Sequence, residues 1–167
     1  MADARLRVGV ICTGNICRSP MAEVAFRQMI EDDPDLRGLV EVSSAGTASW
    51  HEGSEMDPRA RRALDRAGLE MPGTLAAYAD SAYLDTQDIV VVMTREHRDD
   101  VWDRLSSTTT YVLLLRNLLS PGLDLDLADP YYGDDVEFDN CLVTITQAGQ
   151  RLREELHQRL DEDSSEV

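Results

Sequence analysis

A chain of 167 residues that is 43% hydrophobic and 29% charged can bury one real core. Its formal net charge of −16 argues against a nucleic-acid partner, because a phosphate backbone is held by a basic footprint. No apolar run approaches the length that crosses a bilayer, and Met1-Ala2-Asp3-Ala4-Arg5 lacks the apolar segment of a secretory signal, so the expectation is a cytoplasmic protein without membrane association.

Leu6 to Ile11, rich in Val and Ile with little alternation, reads as a buried parallel strand. A turn from Cys12 to Ser19 follows. Ser19 is placed to cap a helix with Pro20 at its first position, and Ala22, Ala25, Phe26, Met29 and Ile30 form its apolar stripe. That helix is expected to end near Asp33, ahead of Pro34. Leu39 to Ser43 reads as a second strand and Ala45 to Asp57 as a loop. Pro58 opens a second helix, with Ala60, Ala63, Leu64 and Ala67 inward and a stop near Gly68.

Asp88 to Met93 holds the most strand-like run, Ile-Val-Val-Val. Thr94 caps a helix reaching about Leu105, and Thr109 to Leu115 is a fourth strand. The long segment from Arg116 to Asp134 has two prolines and several aspartates; a loop of that length in a compact domain is usually functional or disordered. A last helix begins near Asp135, its inward face being Phe138, Leu142, Ile145, Gly149, Leu152, Leu156 and Leu160. Strands alternating with helices predict an α/β domain of three layers, a central four-stranded parallel sheet with helices on both faces. It should occupy residues 1–160, with an acidic, disordered tail over 161–167. Right-handed crossovers then bring the strand C-termini, and any site, to one edge.

Three cysteines and no sign of secretion leave a disulfide framework unexpected, so each thiol is chemistry or core. The informative one opens Cys12-Thr13-Gly14-Asn15-Ile16-Cys17-Arg18-Ser19, between a strand and a helix. Backbone N–H groups of a short loop feeding a helix N-terminus converge on an anion. Gly14 and Asn15 tolerate the backbone conformations such a loop demands. Arg18 offers a planar fork that grips two oxygens of a tetrahedral oxyanion. At the start of this nest the Cys12 sulfur faces the N–H groups and the helix dipole, both of which favour the thiolate, and Ser19 can donate its hydroxyl to it. The Gly-Lys-Ser/Thr ending of a nucleotide-binding loop is missing.

With its extension Pro20-Met21-Ala22-Glu23, this segment resembles the signature loop of the low-molecular-weight protein tyrosine phosphatases. Asp129-Pro130-Tyr131-Tyr132-Gly133 resembles that family's general-acid loop, and Ser44-Ala45-Gly46-Thr47 with Trp50-His51-Glu52-Gly53 is similar to the wall of its active site. The resemblance implies hydrolysis of phosphotyrosine through a cysteinyl-phosphate, with no cofactor and no metal. It makes Cys12 the nucleophile, Arg18 the phosphate clamp and Asp129 the acid and base. It assigns Thr13, Gly14, Asn15, Ile16, Cys17 and Ser19 to the phosphate cradle, and Ile16, Trp50, Tyr131 and Tyr132 to walls deep enough for an aromatic ring. The implied partners are phosphotyrosine proteins, a tyrosine kinase among them, acted on by a monomer. Cys17 is either the partner of a reversible disulfide with Cys12 or a thiol packed under the loop.

The resemblance departs at Leu75-Ala76-Ala77-Tyr78, which stands where the family carries His-x-Ala/Ser-Arg, so one outer member of the network around Asn15, Ser19 and Ser44 is absent. His51, His97 and His157 have no metal-like spacing and are read as surface or cap residues, and Cys141 as inert. Three rivals share these residues. An arsenate reductase needs a relay of further cysteines, and none lies between Cys17 and Cys141. A protein arginine phosphatase carries Thr where this chain has Ile16. A phosphotyrosine-binding module would keep the nest and turn over slowly.

Overall fold

The computed structural model describes residues 4–69 and 73–166, so Met1–Asp3 and Val167 of the expected N-terminus and tail lie outside the described residues. Four parallel strands, β1 (Leu6–Cys12), β2 (Val40–Gly46), β3 (Ile89–Val92) and β4 (Tyr111–Leu114), stand in the order β2-β1-β3-β4. β1 is thus flanked on both sides, which is why it is apolar apart from the exposed Arg7 near its start. Side chains alternate between two layers. Val8, Val10, Ile89, Val91 and Leu113 face a large core shared with helices α1 (Arg18–Glu31), α2 (Pro58–Arg66) and α5 (Asp135–Ser165). Ile11, Val90, Val92 and Leu114 face a smaller core with Leu84 and Val101, from α3 (Ser81–Asp85) and α4 (Arg95–Arg104). The expected three-layer α/β architecture is the observed one.

Packing of α1 on α5 depends on one small residue. A Cβ added at Gly149 would meet the Phe26 ring at 3.1 Å, so glycine lets the two helices approach. Phe26, Phe138, Ile145, Leu152 and Leu156 are fully buried there.

The elements differ from the sequence expectation in four places. Helix α1 starts at Arg18, with Cys17 as its N-cap and no side-chain cap bond. Pro20 sits inside the first turn, where its missing N–H has no intrahelical partner to lose, and Ser19 spends its hydroxyl on Cys12 instead of capping. β2 runs on to Gly46 because the segment at Ala77–Ala79 lies alongside and pairs with it, Gly46 N–H to Ala77 and Ala79 N–H to Gly46, each at 2.8 Å. α3 has five residues, too short for a helical period to register. α5 continues past Leu160 through Ser165, so the segment expected as a disordered tail extends the helix.

The long loop after β4 is well tied. It contains short 3-10 turns at Leu115–Leu118 and Pro130–Tyr132. Arg95 and Arg98 of α4 pair with Asp126 and Asp124, and Leu127 donates its N–H to the Met93 carbonyl at 2.8 Å.

Behind α1, Asp33 is 2% exposed and accepts from Arg153 and His157 of α5, the latter at 2.8 Å. Burial pushes its carboxyl up, but hydrogen bonds from His157, Arg153 and the Asp35 N–H pull it further down, to about 2 from 3.8. Both partner side chains remain partly exposed, so Asp33→Ala is expected to cost about 2–3 kcal/mol at pH 7 in denaturant unfolding. A carboxyl depressed on folding stabilises fully above its unfolded value and ceases to as the proton is taken up. The gap between wild type and Asp33→Asn should therefore close as pH falls from 3.8 towards about 2.

Candidate active site

At the C-terminal end of β1, Cys12 is 3% exposed at the floor of a cavity of about 260 Å³. The Asn15 N–H points at its sulfur at 3.3 Å, and Ser19 Oγ lies 3.0 Å from it. Asn15 adopts φ 56°, the left-handed conformation that Asn accepts more readily than most residues. Beside the loop, Gly46 leaves no room for a side chain, since a Cβ there would overlap the Thr13 carbonyl oxygen. Among the described residues no side chain caps the first turn of α1, which leaves its N–H groups for a ligand.

Behind the nest runs a chain of hydrogen bonds whose directions can be deduced. Asn15 Oδ1 accepts the Ala77 N–H at 2.9 Å, so the other amide atom is the NH2 group. That group donates to Ser19 Oγ at 2.7 Å and Ser44 Oγ at 2.9 Å. With its oxygen occupied as an acceptor, the Ser19 hydroxyl turns its proton to Cys12, while Ser44 donates to Glu23 at 2.9 Å. Glu23 is buried, and burial raises its pKa, moderated by the Ser44 hydroxyl and by Arg27 at 2.8 Å. The absent histidine therefore leaves no gap at Asn15: the backbone N–H of Ala77 meets its carbonyl and Glu23 terminates the serine chain. Leu75 itself points outward and is exposed.

Arg18, 4% exposed, holds its guanidinium across the cavity. Nη1 donates to the Leu127 carbonyl at 2.8 Å and Nη2 to Asp129 Oδ2 at 3.3 Å. Asp129 caps the turn Pro130–Tyr132, its Oδ1 accepting the Tyr131 N–H at 3.1 Å, so the carboxylate is aimed by its own turn. Arg59 braces this turn from α2. It donates to the Gly133 carbonyl at 2.9 Å, pairs with Asp57 at 2.9 Å, and lies over the Tyr131 and Phe138 rings. Arg62 and Arg66, further along α2, are paired with Asp135 and Asp139 of α5.

Of the residues singled out in the sequence, Cys12, Thr13, Gly14, Ile16, Cys17, Arg18, Trp50, Asp129, Tyr131 and Tyr132 line the cavity. Asn15 and Ser19 do not. They are buried behind the loop, and their contact is with the sulfur and with each other. Trp50 and Tyr132, 74% and 92% exposed, form the rim. Two histidines read from the sequence as surface or cap residues border the site. His51 lines the cavity and packs against Gly14, where an added Cβ would meet its ring at 2.8 Å; its place next to Trp50 was the available signal. His97 is buried, with Nε2 2.7 Å from Thr13 Oγ1, and nothing local in the sequence marks it.

Among the described residues all three cysteines are free thiols. Burial, reinforced by the charge of Asp57, pushes Cys17 strongly upward and keeps it protonated; burial likewise raises Cys141 to about 12. No group of three His, Cys, Asp or Glu among the described residues is placed to hold a metal, and no helix there is long and apolar enough to cross a membrane.

The model of the low molecular weight phosphotyrosine protein phosphatase family matches residues 7–164. The chain is 40% identical over 151 residues to a low molecular weight protein-tyrosine-phosphatase of Streptomyces coelicolor, covering 87% of this chain and 90% of that protein. Its fold is similar to a crystal structure of a protein tyrosine phosphatase from Entamoeba histolytica, with a TM-score of 0.84 and 25% identity over 92% of this chain and 97% of the other. It is also similar to YwlE arginine phosphatase from Geobacillus stearothermophilus, with a TM-score of 0.80 and 30% identity over 94% and 96% of the two chains. The nest, the arginine and the acid turn thus stand in a chain that belongs to the low molecular weight phosphotyrosine protein phosphatase family.

Proposed function

We propose that this protein hydrolyses phosphotyrosine in proteins through a cysteinyl-phosphate on Cys12. The observation that carries the reading is the Cys12 sulfur on the floor of the cavity, with the Asn15 N–H and Ser19 hydroxyl directed at it and Arg18 across from it. A phosphate in the nest replaces Asp129 as the partner of Arg18, which frees that carboxyl for proton transfer. The thiolate attacks phosphorus, the bond to the phenolic oxygen breaks, and Asp129 gives its proton to the departing oxygen. Asp129, now a carboxylate, takes a proton from water as the water oxygen attacks phosphorus. The P–S bond breaks, the sulfur leaves as a thiolate held by Ser19, and inorganic phosphate departs. Cys17, kept protonated, does not compete as nucleophile.

Substrate class follows from the walls. Ile16, Trp50, Tyr131 and Tyr132 offer apolar and aromatic surface that a phosphotyrosine ring can cover and the short polar arm of phosphoserine cannot. Similarity to an arginine phosphatase gives a second reading some support, yet Ile16 supplies no hydroxyl for a guanidinium phosphate. Matched peptides carrying phosphotyrosine, phosphoarginine or phosphoserine test the choice. The expected kcat/KM for phosphotyrosine exceeds the other two by about 10²-fold or more; an equal or higher value for phosphoarginine would assign the second reading. The reading has the protein act in the cytoplasm as a monomer on phosphotyrosine proteins, a tyrosine kinase among them.

A further inference from the structure

His97 is remote from the nest in sequence and adjacent to it in space. It is the third residue of α4, on the opposite face of the sheet from α1. Among the described residues its bond to Thr13 is the one side-chain hydrogen bond joining the loop to α4. Its other nitrogen, Nδ1, is buried with no partner among the described residues. Arg18 of α1, and Asp129 and Asp126 of the acid loop, are the charges that face it. Burial, then Arg18, lowers its pKa to about 4, so the ring is neutral at neutral pH.

A neutral imidazole has one N–H and two places to put it. On Nδ1 it would be a buried donor with nothing to accept it, which is rarer and costlier than a bare lone pair. The proton therefore belongs on Nε2, which donates to Thr13 Oγ1. Thr13 is gripped on its main chain as well, its carbonyl accepting the Ala48 N–H at 3.0 Å. With its oxygen already accepting, the Thr13 hydroxyl keeps its own proton to donate, and Thr13 lines the cavity.

We propose that His97 is a positioning residue for phosphoryl transfer: its Nε2–H fixes the Thr13 side chain, and with it the first turn of the nest, leaving the Thr13 hydroxyl proton as a donor to a bound phosphoryl oxygen. This rests on the phosphatase reading above.

The test compares wild type with Thr13→Val, His97→Leu, their double variant and His97→Gln. It reads kcat and KM on p-nitrophenyl phosphate, and vanadate affinity by calorimetry. Each of the first two single changes should lower kcat about 10-fold with KM nearly unchanged, and weaken vanadate, which mimics the transition state, by a similar factor. The double variant should be no worse than Thr13→Val alone, because His97 acts through the Thr13 hydroxyl that this change already removes. His97→Gln, whose amide N–H can reach the same oxygen, should return to within about threefold of wild type.

Wild-type kcat and vanadate affinity in Thr13→Val and His97→Leu, or losses that simply add, would overturn the proposal. So would failure of His97→Gln to recover while the protein melts normally. If His97→Leu does not fold, His97→Phe takes its place in the same cycle, and wild-type kcat and vanadate affinity in Thr13→Val would overturn the proposal by itself. An inert wild type would sink the phosphatase reading, and the vanadate affinities of the same proteins would still decide the positioning role.

Discussion

Cys12→Ser is expected to lower hydrolysis of p-nitrophenyl phosphate by about 10⁴-fold or more while leaving phosphopeptide binding close to that of wild type. The asymmetry comes from what the substitution leaves in place. The loop N–H groups, the Arg18 guanidinium and the apolar walls do not involve sulfur, so the oxyanion still has its cradle. What disappears is the nucleophile. A serine hydroxyl in this position has no neighbouring base, since Ser19 is itself turned towards it as a donor and Asn15 presents an N–H. Stopped-flow mixing should also show a burst of nitrophenolate in wild type and none in the variant. Equal inertness of the two proteins, with both binding phosphopeptide, would instead identify a phosphotyrosine reader.

Asp129→Ala should lower kcat on a phosphotyrosine peptide by about 10²–10⁴-fold, and distinctly less on p-nitrophenyl phosphate. Tyrosine leaves as a poor phenolate that needs a proton, whereas nitrophenolate departs without much help. Asp129 also caps its turn and pairs with Arg18, so a loss in the alanine variant could have a conformational share. Asp129→Asn separates the two effects. Its carbonyl can still accept the Tyr131 N–H, but its amide cannot act as an acid, so it should lose nearly as much as alanine on the peptide. A loss equal for the two substrates would remove Asp129 from proton transfer to the leaving group.

What the sequence made legible follows from how far apart the cooperating residues lie along the chain. The nest was readable because its chemistry is contiguous from Cys12 to Ser19, directly after a Val- and Ile-rich stretch that reads as a buried strand. The acid turn was readable for the same reason, with Asp129, Pro130 and the two tyrosines adjacent. Ser19 illustrates where local rules fail. Its composition marks a cap, but a tertiary partner, the Cys12 sulfur, claims the hydroxyl first.

The carbonyl of Leu127, which orients Arg18, has no side-chain signature at all. Glu23 and the Ala77 N–H, which complete the network behind Asn15, come from a helix face and an irregular segment. His97 looked like a surface residue because its own helix carries mostly charged neighbours, and only the fold brings its third position against Thr13.

The order of elements has a consequence for how the chain comes into being. α5 comes last, yet its Phe138, Ile145, Leu152 and Leu156 close the face of the core that Met21, Phe26 and Leu64 begin. During synthesis from the N-terminus every strand and the whole nucleophile loop exist before the helix that shelters them. In that interval the inner faces of α1 and α2 are bare apolar surface, the kind that attracts chaperones and promotes aggregation. Arg18 also waits for its aim, because Leu127 and Asp129 lie 109 and 111 residues further along. The growing polypeptide thus carries Cys12 early and the partners of Arg18 late, so the proposed site is assembled only after the segment around Asp129 has been made.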